Sequence, residues 1–203
     1  FDAHIAELQS GPYTVVPITD ILDKQARGES LANRTVGISI DDAYLSVYEK
    51  AWPILRDAKL PFTLFVSTDA VDRGLQDIMN WDQIRELQAA GITIAAHTRT
   101  HLHMPRHSLL RTKQEITHST KRFEDELGVT PTIFAYPYGE TSSNTMAQVK
   151  AGGYKAAFGQ HSGAFNHAYD PYNLPRFSLN EKYGDMGRFK TAVNAMALPL
   201  TDI

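Results

Sequence analysis

Cysteine is absent from the 203 residues, which excludes disulfides and thiolate zinc sites and leaves the redox compartment open. No apolar run approaches the roughly 20 residues that a membrane-spanning helix needs. There is no excess of one charge: the formal net charge is -3, so nothing suggests a nucleic-acid partner. No internal repeat, low-complexity tract or evident linker interrupts the chain. The start carries no signal-peptide pattern of charged, apolar and small residues. It is also not a methionine: Phe1-Asp-Ala-His-Ile-Ala-Glu-Leu8 reads like the middle of a helix, and the chain stops at Pro199-Leu-Thr-Asp-Ile203 without a stop signal. The expectation is one domain over 1–203, a processed or trimmed piece of a longer protein.

What is present is an ordinary globular composition, 42% hydrophobic and 21% charged, with enough length for a full core. Short β-rich runs alternate with amphipathic stretches. Strand candidates are 14–17, 35–40, 62–66, 92–96, 132–136, 155–158 and 174–178. The pattern predicts helices over 44–58, with a kink at Pro53, over 81–90, ended by Gly91, and over 108–127, ended by Gly128. The last of these sets Leu109, Ile116, Phe123 and Leu127 on roughly one face. Seven strands alternating with helices predict an α/β fold on a parallel sheet, either a (β/α) barrel or an open doubly wound sheet. In both, ligands gather at the carboxyl ends of the strands. Asp41, Asp42, His97, Tyr138 and His161 all follow strand candidates, so one rim can hold them.

The pairing that matters is Asp41-Asp42, closing the run Thr35-Val-Gly-Ile-Ser-Ile40, with His97 and His101, closing Gly91-Ile-Thr-Ile-Ala-Ala96. Imidazole nitrogens and a carboxylate suit zinc, and a hydrolytic site uses three protein ligands plus an open position. Asp42, His97 and His101 supply that count. Neighbouring side chains on a strand point to opposite faces, so Asp41 stays off the ion and is free to act as general base. Taken alone, Asp-Asp after a strand also serves as a turn or helix cap, and a lone His-x3-His pair arises by chance. His103, His107 and His118 are read as solvated or core residues.

Ser39-Ile-Asp-Asp-Ala-Tyr44, His97-Thr-Arg-Thr-His101 and Phe134-Ala-Tyr-Pro-Tyr-Gly139 resemble, in order and spacing, the first three motifs of the polysaccharide deacetylases, carbohydrate esterase family 4. The branch that includes poly-β-1,6-N-acetylglucosamine deacetylases is the nearest in pattern. The resemblance implies a distorted (β/α)7 barrel of one domain and a divalent cation, zinc first, with cobalt or nickel also possible. It makes Asp41 the base and Asp42, His97 and His101 the metal ligands. It implies a bracing role for the Thr98 hydroxyl and an oxyanion-holding backbone N–H at Tyr138. The implied partner is an acetylated polysaccharide, and the implied location is extracellular or periplasmic. Departures are Ala43 for the motif glycine, Leu102 for a proline and Ala135 for the arginine that braces the catalytic Asp. Arg176 is the candidate replacement for that arginine, and His161, ahead of His167, is the candidate general acid. Trp81 and Tyr169-Asp-Pro-Tyr172 are candidates for a sugar subsite. The expected activity is metal-dependent removal of N-acetyl groups from an N-acetylglucosamine polymer. Two alternatives remain: an O-acetyl esterase on xylan-like polymers, and a non-catalytic glycan-binding relic.

Overall fold

A computed structural model describes residues 1–166, 168–180 and 182–195. The core is a five-stranded parallel sheet of β3 (Ser39–Asp41), β4 (Thr63–Val66), β5 (Thr93–Ala96), β6 (Ile133–Ala135) and β7 (Ala156–Phe158), hydrogen-bonded in that order. Helices fill the crossovers: α3 (Trp52–Asp57) after β3, α4 (Thr68–Asp72) and α5 (Trp81–Ala89) after β4, α6 (Leu109–Leu127) after β5, and α7 (Ser143–Ala151) after β6. Each strand pairs with the next in sequence and the order never reverses. Right-handed crossovers then put these connecting helices on one face and the sheet curls. Of the two architectures the alternation allows, this is the barrel: a distorted (β/α) barrel rather than a doubly wound sheet, which would need a reversal point.

The period-2 alternation of the strands divides two cores. Leu64, Val66, Ile94, Ala96, Phe134 and Ala157 face the helices. Phe65, Ala95, Ile133, Ala135, Ala156 and Phe158 face inward and meet Ile18 and Leu174. Both faces of β4 are therefore buried. At roughly 1.5–3 kcal/mol per fully buried large apolar side chain, these two layers set the register. A one-residue slip would exchange them. Asp41 pairs across the sheet with Phe65, so its side chain shares the inward face.

Several expectations need adjustment. The run 35–40 is two elements: β2 (Thr35–Val36) pairs with β1 (Thr14–Val15) in a separate two-stranded sheet, and β3 begins after the break. Gly37 lies at the break, where Ile18 of α2 (Ile18–Ala26) presses so closely that a Cβ would sit 2.7 Å from its Cγ1. The run 174–178 forms no strand among the described residues; it contributes a single parallel bridge, Leu174 to Phe158. Pro53 acts one turn earlier than a kink. It has no N–H for the Glu49 carbonyl, and the preceding turn, Val47–Ala51, widens to π geometry before α3. In α6, Ser108 caps the start through the Arg111 N–H and Gly128 ends it at φ 66°. Its buried stripe is Thr112, Glu115, Ile116, Ser119 and Phe123, while Leu109 is 54% exposed. The remaining α-helices among the described residues are α1 (Asp2–Ser10) and α8 (Met186–Val193). No helix of the described residues is long and apolar enough to cross a membrane.

Candidate active site

The carboxyl ends of β3, β4, β5 and β6 open into one cleft of about 730 Å³, whose lining includes Asp41, Asp42, Ser67, His97, His101 and Tyr138. Ligand atoms of Asp42, His97 and His101 all lie within 4.8 Å of one another. Asp42 Oδ1 is 3.6 Å from His97 Nε2 and 3.4 Å from His101 Nε2. Those separations leave room for a cation between the three atoms, and two imidazoles with one carboxylate match a zinc-type donor set. His97 is buried, and its Nδ1 sits 2.7 Å from the Ala135 carbonyl. That carbonyl can only accept, so Nδ1 carries the hydrogen and Nε2 presents its lone pair to the site. Burial is the largest influence on His97 and lowers its pKa against the pull of Asp41 and Asp42, which favours the neutral, ligating ring.

The backbone turns where the ligands are needed. Of eight non-glycine residues with positive φ among the described residues, five belong here: Asp42, Ala43, Thr98, His101 and Tyr138. Such positions cost free energy and concentrate where surrounding structure overrides local preference. The turn at Asp42, φ 76°, brings two adjacent carboxylates to one site from a strand that would separate them. Ala43, at φ 56°, takes the left-handed conformation that glycine adopts at no steric cost, which accounts for a glycine motif tolerating alanine at a small penalty. Gly139 has no such latitude: at φ 67°, a Cβ would lie 2.6 Å from the backbone nitrogen of Gln160.

Asp41 is gripped by Arg176. Nη1 donates to Oδ1 at 2.7 Å and Nη2 to Oδ2 at 2.9 Å, a bidentate pair. The guanidinium is itself held: Nε donates to the Gly159 carbonyl at 3.0 Å, Nη1 also reaches the Ser39 hydroxyl at 3.2 Å, and the plane lies 5.3 Å from the Phe65 ring. Burial alone would raise the pKa of Asp41, but the Arg176 charge and hydrogen bonds, together with His97 and His101, outweigh it and hold the carboxyl below its ordinary value. Ala135 belongs to the same inward-facing layer as Phe65, the ring over which the Arg176 guanidinium lies.

Other expected residues fall differently. His161 is exposed and is not part of the cleft lining; its ring lies 5.8 Å from that of Tyr169, and Gln160 lines the cleft instead. His167 lies outside the described residues. Trp81 is buried, donates from Nε1 to Asp72 at 2.8 Å and meets Phe123 edge-on, so it packs rather than floors a subsite. Tyr172 donates to the Tyr154 carbonyl, and neither it nor Tyr169 lines the cleft. The hydroxyl of Thr98 is buried and makes no hydrogen bond among the described residues. Bracing comes from Ser67, whose hydroxyl donates to the His97 carbonyl at 2.7 Å.

Three cleft features were not read from the sequence. Tyr44, 48% exposed, adds a second tyrosine face to the cleft beside the expected Tyr138. His103 is no bystander: it stacks on Tyr138 at 3.7 Å between centroids and holds Glu140 through Nδ1 at 2.8 Å. Leu75, Gln76, Asp77 and Ile78 line the cleft as well, tied to the segment after Asp42 by the Leu45 N–H to the Asp77 carbonyl and the Met79 N–H to the Ala43 carbonyl. A short loop of mixed polarity has no periodicity to signal this. Tyr44, directly after the Asp-Asp-Ala turn, was the one legible clue.

Comparison with known proteins agrees with this geometry. The family model for polysaccharide deacetylase matches residues 28–157, well over half of the chain and including every residue of the two ligand motifs. The chain belongs to the polysaccharide deacetylase family. Among its relatives is the poly-β-1,6-N-acetyl-D-glucosamine N-deacetylase of Staphylococcus aureus (strain MRSA252), 26% identical over 196 residues. That match covers 89% of this chain and 66% of the relative, so the chain spans just under two thirds of that protein's length. Among solved structures, the deacetylase PplD of Streptococcus pyogenes superposes with a TM-score of 0.87 at 19% identity, covering 97% of this chain and 85% of that one. IcaB of Ammonifex degensii superposes at 0.83 with 23% identity, covering 97% and 88%. At those identities the superpositions speak for the deacetylase fold alone.

Proposed function

We propose that this chain is a metal-dependent hydrolase that removes N-acetyl groups from an N-acetylglucosamine-containing polysaccharide and releases acetate. One observation carries the reading: three ligand atoms from Asp42, His97 and His101 converge in a cleft, beside a second carboxylate that an arginine keeps ionised. Asp42, His97 and His101 would hold a divalent cation, zinc first, with cobalt or nickel as substitutes. A bound cation of this kind lowers the pKa of its water towards neutrality and polarises a carbonyl.

The rest is the work of the chain's own groups. Asp41 takes a proton from the attacking water while Arg176 fixes both carboxylate oxygens in direction. The water oxygen bonds to the acetamide carbon, and the oxyanion that develops is held by the Tyr138 N–H. Asp41 then returns the proton to the amine nitrogen as the C–N bond breaks. The exposure of His161, outside the cleft lining, supports Asp41 rather than His161 in that last role. Tyr44 and Tyr138 suit the apolar faces of a sugar ring. A polymeric glycan substrate goes with an extracellular or periplasmic location. The non-catalytic alternative drew support from Ala135 and from the missing later motifs; the Arg176–Asp41 pair, which supplies a guanidinium to the carboxylate, speaks against the first of these grounds.

Acetate release tests the assignment. N-acetylglucosamine oligomers with β-1,6 linkage should yield acetate when zinc or cobalt is supplied, and none after exhaustive chelation. Full activity after chelation would overturn the metal scheme, and release from acetylated xylan alone would transfer the assignment to an O-acetyl esterase.

A further inference from the structure

One buried carboxylate is not used by the chemistry above. Glu115 lies in α6 with no exposed surface. Its Oε2 accepts the backbone N–H of Arg99 at 3.1 Å and of Thr100 at 2.7 Å. Its Oε1 accepts the Thr100 hydroxyl at 3.0 Å, and the Arg111 guanidinium pairs with it at 2.8 Å. Arg99 and Thr100 lie between His97 and His101 in the chain. The carbonyl side of the same loop is taken by the start of α4: the His97 carbonyl accepts from the Ser67 hydroxyl, that of Thr98 from the Thr68 N–H at 3.3 Å, and that of Arg99 from the Asp69 N–H at 2.8 Å. A loop with two left-handed residues, Thr98 at φ 65° and His101 at φ 55°, is thus clamped from both sides.

A buried carboxylate costs several kcal/mol unless its oxygens are satisfied, and apolar replacements often stabilise a fold as well or better. Only an acceptor with two oxygens can collect two neighbouring N–H groups and a hydroxyl at once. We propose that Glu115 is a positioning residue: it sets the separation of His97 and His101 before any ligand arrives, and through them the affinity of the site for a divalent cation. The inference rests on the reading of Asp42, His97 and His101 as metal ligands. Without the clamp, binding must order the loop as well as occupy it, and that ordering is subtracted from affinity.

Zinc affinity of the full chain, read by competition with a chromophoric chelator well below the melting temperature, tests it. Glu115→Ala should bind zinc about 10- to 100-fold more weakly, the range found when groups behind metal ligands are removed. Glu115→Gln keeps one oxygen for the paired N–H groups but loses the charge, and should weaken binding about three- to tenfold. Phe123→Leu, in the core at the far end of α6, should lower the melting temperature and leave zinc affinity unchanged. Folded Glu115 variants with wild-type affinity would overturn the proposal, as would a Phe123→Leu protein that loses affinity to the same degree. If Glu115→Ala does not fold, Glu115→Gln carries the test alone. A wild-type chain that binds no zinc would overturn the metal reading and this inference together, whereas wild-type binding with unaltered variants removes this one only.

Discussion

Arg176→Ala should uncouple Asp41 from the only guanidinium that pairs with it among the described residues. The side chains of Arg176 and Asp41 are 12% and 19% exposed and share two hydrogen bonds of 2.7 and 2.9 Å. Removing one member of so enclosed a pair leaves a carboxylate without its partner, at a cost of about 3 kcal/mol at pH 7, the low end for a buried pair. For a domain of this size that is a fall of roughly 6–12 °C in melting temperature. The pair holds the folded pKa of Asp41 below its unfolded value. Its stabilisation is therefore fully present above the unfolded pKa of about 3.9, and is lost as pH falls through the folded one. The gap between wild type and variant in urea unfolding should accordingly be widest at neutral pH and close below about pH 4. Activity should suffer separately. Burial, the largest influence on Asp41, pushes its pKa up once the opposing charge is gone, so the acid limb of the acetate-release profile should move to higher pH. Loss of aim should lower turnover on the order of 100-fold. An acid limb where it was, with a stability loss under about 1 kcal/mol, would refute the claim that Arg176 restores the missing motif arginine.

Three further outcomes are expected. Zinc at 100 times its dissociation constant should add about 2.7 kcal/mol and raise the melting temperature by roughly 5–11 °C in calorimetry, an increment that His97→Ala abolishes; an equal rise in both proteins would place the ion elsewhere. His161→Ala should leave acetate release within about threefold of wild type, far from the 100-fold or greater loss typical of a deleted general acid; a fall of that larger size would return the acid role to His161. Ala43→Val should lower stability by about 2 kcal/mol or more in urea unfolding, since a β-branched side chain must adopt φ 56° in a fully buried position, whereas Ala43→Gly should stay within about 1 kcal/mol; equal stability of the two would show that the turn relaxes.

Local sequence determined a good deal of this protein. Alternating β-rich runs and capped amphipathic stretches dictated an α/β chain, because apolar period and helix termination act within a few residues. Asp41, Asp42, His97 and His101 were legible because each motif lies within one strand end, where a short segment contains the whole signal. The split at Gly37, the single bridge at Leu174 and the exposure of Leu109 were not legible, since each depends on what packs opposite. The same holds for function. Only tertiary structure decided that Arg176 reaches Asp41 across 135 positions of sequence, that Glu115 clamps the loop between the two histidines, that Trp81 is packed away, and that His161 stays outside the cleft. A side chain's neighbours along the chain set its backbone preference, whereas its charge partners and its access to solvent are set by whichever strands the barrel brings beside it.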